Sequence, residues 1–312
     1  MWIVTGGAGF IGSNLIAALN RRGETGIFVV DHADRDAPNL KGLRFADLVR
    51  PAEFVAALER GALPAKISAI LHQGACADTT CTDRTYMMEN NVTFSRAVLG
   101  FALERKIPLV YASSAAVYGA GRSFREAPEN ERPLNLYGES KLIFDNTVRP
   151  LLPSAASTVA GLRYFNVYGP REAHKGKMAS MVYQLYRQLR ETGRARLFEG
   201  SDGFADGEQR RDFVSVADVV AVNLFLADGP ARKGIFNVGT GQSRSFNEVV
   251  RCLVARLGGG SIEYIPFPPG LREKYQSLTQ ADLSALRAAG YTAPFTPLED
   301  GIAAAVAVWT SE

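Results

Sequence analysis

Cysteine is scarce. The 312 residues include three, Cys76, Cys81 and Cys252, and so small and odd a number excludes a secreted disulfide scaffold. Long apolar runs are missing too. The run over 302–309 falls far short of the roughly 18 residues that suggest a membrane span. No basic segment followed by a signal-type apolar stretch precedes the first strand-like run, Met-Trp-Ile-Val-Thr, so no membrane association and a cytoplasmic location are expected. Neither sign of charge dominates: 35 Lys and Arg stand against 32 Asp and Glu, a net charge of +3. That gives no reason to invoke nucleic acid, although a local patch for an anionic ligand stays open. There is no repeat of solenoid period and no low-complexity segment. What remains is an ordinary globular composition, 46% apolar and 21% charged, long enough for one large or two unequal domains.

The first informative stretch is Thr5-Gly-Gly-Ala-Gly-Phe-Ile-Gly12. It follows an apolar strand at 2–5 and opens a helix with Ile11, Leu15, Ile16 and Leu19 on one face. Gly7, Gly9 and Gly12 satisfy G-x-G-x-x-G, and Gly6, Gly9 and Gly12 the related G-x-x-G-x-x-G. The early glycines let the backbone turn and approach a pyrophosphate; the last lets helix and strand pack closely. Phe10 and Ile11 complete the loop at the helix N-terminus, whose free N–H groups face the phosphates. A second strand at 27–30 ends in Asp31, nineteen residues after Gly12, where a carboxylate accepts from adenosine ribose hydroxyls. Without ligand the same pattern is a glycine turn beside a strand-end aspartate. Asp31 favours NAD. Arg35, Lys41 or Arg50 near His32 would receive the 2′-phosphate of NADP.

Strand and helix patterns go on alternating. Residues 67–71 read as a buried strand, followed by His72-Gln73-Gly74-Ala75-Cys76-Ala77, whose small side chains let a cofactor pass. Asp47-Leu48, just before a helix, is placed to flank adenine. Residues 83–105 read as one long helix with Asn90 and Asn91 near its middle, and 108–112 as a strand ending in Ser113-Ser114. This order predicts an α/β fold, a doubly wound parallel sheet of Rossmann type with ligands at the carboxyl ends of its strands. His72, Cys76 and Cys81 have a spacing that offers three metal ligands, but no fourth accompanies them, so packing roles and no metal are expected.

Tyr137-Gly-Glu-Ser-Lys141 follows, with Leu136, Leu142, Ile143 and Val148 at helical spacing. Residues four apart share a helix face. A fixed ammonium beside a phenol lowers its pKa from near 10, producing a base for a sugar or alcohol hydroxyl. By itself Tyr-x-x-x-Lys also arises by chance, as a solvated lysine beside a half-buried tyrosine.

Together, the Gly-rich loop, Asp31, the strand-end serines and Tyr137-x-x-x-Lys141 resemble the extended short-chain dehydrogenase/reductase family, in its branch of nucleotide-sugar enzymes. The resemblance covers nearly the whole chain. It implies that Ser114 and Tyr137 contact the reacting hydroxyl and that Lys141 binds the nicotinamide ribose. Further stretches narrow the branch: residues 72–76, 86–91, 111–116, Arg163-Tyr-Phe-Asn-Val-Tyr-Gly-Pro-Arg171, His174-Lys-Gly-Lys-Met-Ala-Ser180, Phe198-Glu-Gly-Ser201, Arg211-Asp-Phe-Val214 and Tyr264-Ile-Pro-Phe-Pro268. They resemble a subfamily that epimerises an ADP-linked heptose at carbon 6 for lipopolysaccharide core synthesis. That resemblance implies a redox epimerisation without net cofactor use, NADP as cofactor (NAD the alternative), and a homo-oligomer, a pentamer. It makes Lys175 a second acid/base group, with His174 and Lys177 helping to lower its pKa; on chemistry alone Lys175 would be a cofactor contact or a solvated lysine. It adds Asn90, Val167 and Lys175 to the cofactor contacts, with Gln73 to Ala77, and gives Asn166, Lys177, Gln184, Phe198, Glu199, Gly200, Ser201, Arg211 and Tyr275 to the substrate. Gln73, Gln184, Lys177 and Glu139 depart from the subfamily's usual residues, which bears on fine specificity.

The expected division is a dinucleotide domain over 1–170, with 217–240 returning to it, and a smaller substrate domain over 171–312. In the latter, helices are predicted at 178–192, 278–288 and 298–309, and strands at 196–198 and 211–216. Arg211 suits a diphosphate because a guanidinium binds two oxygens at once; otherwise it would pair with Asp212 or Glu208. Tyr275 would close over the nucleotide or pack as an ordinary core aromatic. Residues 203–209 look like an inserted loop. Two rivals remain. A UDP-hexose 4-epimerase would not require the stretch at 174–177, and a 4,6-dehydratase would carry an Asp-Glu pair where Ala115-Ala116 stand. A redox-sensing binding protein would tend to lose Tyr137 and Lys141, and both are present.

Overall fold

The computed structural model describes residues 1–272 and 275–311. Glu273 and Lys274, within the stretch around Tyr275, and Glu312 lie outside the described residues. The strands in chain order are β1 (Trp2–Thr5), β2 (Ile27–Val30), β3 (Asp47–Val49), β4 (Ala69–His72), β5 (Leu109–Ser114), β6 (Val159–Tyr164) and β7 (Asn166–Tyr168). They continue with β8 (Arg194–Phe198), β9 (Arg210–Arg211), β10 (Phe213–Ser215), β11 (Lys233–Val238), β12 (Arg244–Ser245) and β13 (Ser261–Ile265). The α-helices are α1 (Phe10–Arg21), α2 (Pro51–Glu59), α3 (Arg84–Met88), α4 (Phe94–Glu104) and α5 (Leu136–Val148). After them come α6 (Met181–Thr192), α7 (Val216–Ala227), α8 (Phe246–Leu257), α9 (Ser284–Ala288) and α10 (Leu298–Trp309).

The chain divides into two units. The first comprises Met1–Val117, Asn135–Arg163 and Val220–Phe236; the second comprises Tyr118–Leu134, Tyr164–Val219 and Asn237–Glu312. The expected cut at 170 thus moves. Residues 118–134 and 164–170 belong with the second unit, and the return to the first is shorter than 217–240.

The first unit is built on a seven-stranded sheet in the order β11-β6-β5-β4-β1-β2-β3, parallel as the strand–helix alternation requires. The strand order reverses at β1 and β4, where open α/β sheets hold their ligands. Register brings Thr5 level with Val30 on one side and His72 on the other. The core is a set of fully buried apolar side chains, including Ile3, Phe54, Ile70, Val98 and Phe144.

The predicted long helix at 83–105 is broken. A π-helical turn, Glu89–Thr93, separates α3 from α4. The extra residue in the turn brings Asn91 inward, where the amide finds backbone partners that a regular helix would deny it. In α5, Asn135 caps the N-terminus by accepting from Gly138 N at 2.8 Å, and Tyr137, Lys141 and Asp145 follow at intervals of four.

Asp145 anchors that helix. It is fully buried. Its Oδ1 accepts from Tyr111 Oη at 3.0 Å, and its Oδ2 from Ser113 Oγ at 3.0 Å and from Arg163 Nε and Nη2 at 3.0 and 2.9 Å. One carboxylate therefore joins α5 to both β5 and β6.

The second unit packs α6, α8 and α10 around Tyr168, Leu185, Leu197, Phe213, Val249 and Ile302. β13 lies parallel to β8, and β10 parallel to β7. The predicted helix at 278–288 covers only α9. Leu278 instead bridges to Arg210, and Thr279 and Ala281 exchange hydrogen bonds with Arg210 and Asp212. The start of α6 is Met181 rather than 178, because Ser180 is its cap and accepts from Tyr183 N.

Replacing Asp145 by Ala leaves the Arg163 guanidinium buried without its counter-ion, which costs about 3–5 kcal/mol. Urea unfolding of Asp145→Ala against the parent measures it, and a loss below about 1 kcal/mol would show that the cluster is not the anchor of α5.

Candidate active site

In the first unit the Gly-rich loop sits where the sheet order reverses. Gly6 has a φ of 65°, and a Cβ on it would fall 2.7 Å from Gly74 N; a Cβ on Gly12 would fall 2.1 Å from Gly6 O. Both glycines are therefore required by backbone packed against backbone, which brings the loop and the 73–77 segment together. Phe10 is buried in the first turn of α1, and Ile11 is half-buried beside it. Asp31 stands at the end of β2, where Oδ2 accepts from Ala8 N at 2.9 Å and Oδ1 from Ala33 N at 3.1 Å. It fixes the Gly-rich loop. Nearby, exposed His32 is flanked by two ion pairs, Arg35 with Asp47 at 3.1 Å and Arg50 with Asp34 at 2.6 Å.

Ser114 ends β5 beside Tyr137, whose phenol it lowers, and its Oγ accepts from Ala116 N at 3.1 Å. Ser113, its neighbour, is committed to Asp145. Lys141 is buried; its Nζ donates to Ala112 O at 2.9 Å and lies 5.8 Å from the centre of the Tyr137 ring. Burial pulls the Lys141 ammonium down to about 8, with the Asp145 charge opposing, so it persists at neutral pH. Burial also pushes the Tyr137 phenol up, against the lowering by Ser114. This corrects the expected sign. Within the protein alone, desolvation outweighs the ammonium, which points at a carbonyl and faces the ring from a distance. Glu139, one of the departures from the subfamily, makes an exposed two-point ion pair with Arg84 at 2.9 and 2.7 Å.

A chain of hydrogen bonds runs beneath this surface. Gly74 N donates to Thr5 Oγ1 at 3.0 Å, Thr5 Oγ1 meets His72 Nδ1 at 2.7 Å, His72 Nε2 meets Ser95 Oγ at 2.8 Å, and Ser95 Oγ donates to Asn91 O at 2.7 Å. The Asn91 side chain then accepts from Cys76 N at 2.7 Å and donates to Cys76 O and to Ser140 Oγ, both at 2.9 Å. Asn91, not Asn90, clamps the 73–77 segment; Asn90 turns back to Tyr86 O. The residue type and the helix were visible in the sequence, but the π turn that selects between neighbours was not. Gln73 reaches Asn223 at 3.2 Å, and Ala75 and Ala77 complete the segment. His72, Cys76 and Cys81 do not converge on a metal: among the described residues no group of three His, Cys, Asp or Glu is so placed.

In the second unit, Lys175 lies in a 3₁₀ turn, Ala173–Met178, with Gly176 at φ 52°. Burial lowers its pKa, and Glu172 opposes the shift. His174 and Lys177 are exposed, so desolvation rather than a positive field acts on Lys175. Gln184 holds the turn, donating to Lys177 O at 3.2 Å and Ala179 O at 2.8 Å. Asn166 and Val167 lie on β7, paired with Phe213 and Val214.

Arg211 is buried, and among the described residues no carboxylate pairs with it; Asp212 and Glu208 are engaged elsewhere. Its guanidinium donates to Arg210 O and lies 4.9 Å from the Tyr275 ring centre and 5.6 Å from that of Phe246. Burial lowers its pKa. Phe198 stacks on Phe267 at 4.5 Å and meets Tyr275 edge-on at 5.7 Å. Phe267 and Phe246 were missed as site residues; Phe267 lies in the quoted 264–268 stretch. The 203–209 insertion is ordered by Asp206, which accepts from Gly200 N at 2.7 Å, and by Gln209, which donates to Glu199 O at 2.6 Å. Ser201 is buried against Ser277 at 3.0 Å. With Glu199, Asp202, Phe204 and Arg272, the insertion lines a cavity of about 420 Å³.

The sequence profile of the NAD dependent epimerase/dehydratase family matches residues 2–239. An ADP-L-glycero-D-manno-heptose-6-epimerase of Alkalilimnicola ehrlichii is 54% identical over 304 residues, covering 97% of this chain and 95% of that protein. One of Thiobacillus denitrificans is 49% identical over 319 residues, covering 96% of each. Among solved structures, the Helicobacter pylori ADP-L-glycero-D-manno-heptose-6-epimerase superposes with a TM-score of 0.84 at 33% identity, covering 100% of this chain and 96% of that one. The Thermus thermophilus UDP-glucose 4-epimerase complexed with NAD gives 0.78 at 28% identity, covering 99% and 98%.

The donors around His72 fix its tautomer. Ser95 gives its proton to Asn91 O and Thr5 accepts from Gly74 N, so Nε2 carries the hydrogen and Nδ1 accepts. Burial holds its pKa down at about 3, with Lys141 adding to the shift. A histidine with so low a folded pKa contributes stability that is complete above its unfolded value near 6.5 and is lost as pH falls toward 3. Nitrogen-15 NMR should therefore show a neutral Nε2–H ring for His72 down to about pH 4; a ring that charges near pH 6 would contradict the relay.

Proposed function

Since the chain belongs to the NAD dependent epimerase/dehydratase family, we propose that it converts ADP-D-glycero-β-D-manno-heptose to ADP-L-glycero-β-D-manno-heptose by transient oxidation at carbon 6. The reading is carried by Ser114 and Tyr137, neighbours at the end of β5 with the buried ammonium of Lys141 facing the Tyr137 ring. The heptose itself rests on the names of relatives that are 54% and 49% identical over nearly the whole chain.

When bound, a nicotinamide would supply the hydride acceptor and donor that transient oxidation at carbon 6 requires. Ser114 and Tyr137 hold the reacting hydroxyl, and Lys141 supports the nicotinamide ribose. Inversion requires a proton to leave in one orientation and return in the other, so two acid/base groups serve it. Burial pushes the Tyr137 phenol up and the Lys175 amine down. Arg211, a buried cation between two rings with no carboxylate partner among the described residues, suits the diphosphate. Phe198, Glu199, Gly200, Ser201 and Tyr275 receive the nucleoside, and Asn166, Lys177 and Gln184 lie toward the sugar.

NADP is proposed as the cofactor, with NAD as the alternative. The closely packed glycines and Asp31 suit the dinucleotide. The ion pairs of Arg35 and Arg50 are exposed, and such pairs, worth about 0–1 kcal/mol, open readily to a 2′-phosphate. The same resemblance supports a cytoplasmic homo-pentamer that contributes heptose for lipopolysaccharide, and a sedimentation mass of a single chain would overturn the assembly.

Proton NMR of ADP-D-glycero-β-D-manno-heptose with the purified protein and no added reductant should show the L-glycero isomer appear, without lasting accumulation of reduced cofactor. Turnover of a UDP-hexose with the heptose ignored would favour a 4-epimerase instead. Tyr137→Phe and Lys175→Met should each lower kcat by about 10²–10⁴-fold while cofactor binding persists. Full activity in Lys175→Met would remove it as the second acid/base group.

A further inference from the structure

The path from β7 to α6 contains a turn with unusual backbone geometry. Gly169, Arg171 and Gly176 have φ values of 143°, 70° and 52°. Arg171 carries a Cβ and rarely adopts that conformation, so the surroundings must hold it there. One side chain spans the turn. Glu172 is fully buried. Its Oε1 accepts from Gly169 N at 2.9 Å and Ser180 Oγ at 3.0 Å, and its Oε2 from Ser180 N at 2.6 Å. One carboxylate thereby joins the residue that enters the turn to the residue that caps α6. All three of these partners donate. Burial pushes the Glu172 carboxyl above the usual carboxylate range, and the donors from Gly169 and Ser180 oppose that shift by favouring the ionised form. Its backbone takes part too: Lys175 N donates to Glu172 O at 3.0 Å.

We propose that Glu172 is a positioning residue: its carboxylate pins the strained turn that presents Lys175. The catalytic consequence rests on the reading of Lys175 given above; the pinning does not. Glu172 is the charged group whose field opposes the burial of Lys175. Arg171, His174 and Lys177 share the turn, with His174 and Lys177 exposed. From α6, the side chain that closes on the turn is the uncharged Gln184. A general base needs a pKa near the working pH. Burial lowers the Lys175 amine in that direction, and Glu172 opposes the shift.

Carbon-13 NMR titration of lysine side chains in the full-length protein reads Lys175 directly, its resonance assigned by its loss in Lys175→Met. In Glu172→Gln the Lys175 midpoint should move to lower pH, because removing a nearby negative charge disfavours the ammonium. A midpoint that does not move overturns the placement of Lys175 beside the Glu172 carboxylate. Turnover provides the second readout: Glu172→Gln should lower kcat roughly tenfold or more, with KM for the sugar nucleotide within about twofold. If Glu172→Gln does not fold, Ser180→Ala replaces it, since it deletes one donor to Glu172 and leaves the charge. It should lower kcat while the Lys175 midpoint holds; unchanged kcat overturns the pinning. The midpoint is measured without substrate, so a protein inert toward heptose would sink the functional reading and leave this inference standing.

Discussion

The helix that carries Tyr137 and Lys141 is held by a carboxylate with no access to water. Asp145 accepts from Tyr111, Ser113 and twice from Arg163, so every hydrogen bond on it comes from one of two neighbouring strands. A buried ion pair is weak support for stability in itself, because desolvation cancels much of its attraction. Its value here is geometric. Lys141 lies one turn from Asp145 and Tyr137 two turns away, and a helix rigid over two turns transfers the position of the carboxylate to the phenol. The same charge also counters the burial of Lys141, which keeps an ammonium where the nicotinamide ribose is expected.

Carboxylates do comparable work in the second unit. Asp212 is buried and accepts from Thr240 N and Oγ1, Gly241 N and Ala281 N. It gathers three loop segments beside Arg211, which leaves the neighbouring guanidinium uncompensated by its own aspartate. Glu172 does the same for the turn at 169–180. In each case burial pushes the carboxyl up, and the surrounding donors oppose the shift. Buried charge in this protein specifies loop positions that hydrophobic packing cannot, because loops lack the repeating faces that pack.

Desolvation decides the acid/base chemistry more than charge does. From spacing alone, an ammonium four residues away should lower the Tyr137 phenol. In the folded protein the ammonium donates to Ala112 O and faces the ring from 5.8 Å, and burial wins. The same holds at Lys175, where exposed His174 and Lys177 act less than the loss of water. Spacing along a helix says which side chains share a face; it does not say where a flexible lysine directs its charge.

The amino-acid sequence by itself determined the parallel sheet, the Gly-rich loop, the strand-end Asp31 and Ser114, and the helix bearing Tyr137 and Lys141. These rest on local periodicity and on backbone shapes that only glycine allows, and both are written in consecutive residues. Only the tertiary structure decided which neighbour acts. A π turn chose Asn91 over Asn90 to clamp Cys76. Register placed Thr5 beside His72 and so created the relay to Ser95. Burial made Asp145, Glu172 and Asp212 organisers, and Phe267 and Phe246 partners of Phe198, Tyr275 and Arg211, although nothing in their local patterns set them apart. The physical reason is common to all of them. Desolvation and hydrogen-bond satisfaction depend on residues tens of positions away, and no periodicity in the chain encodes those distances.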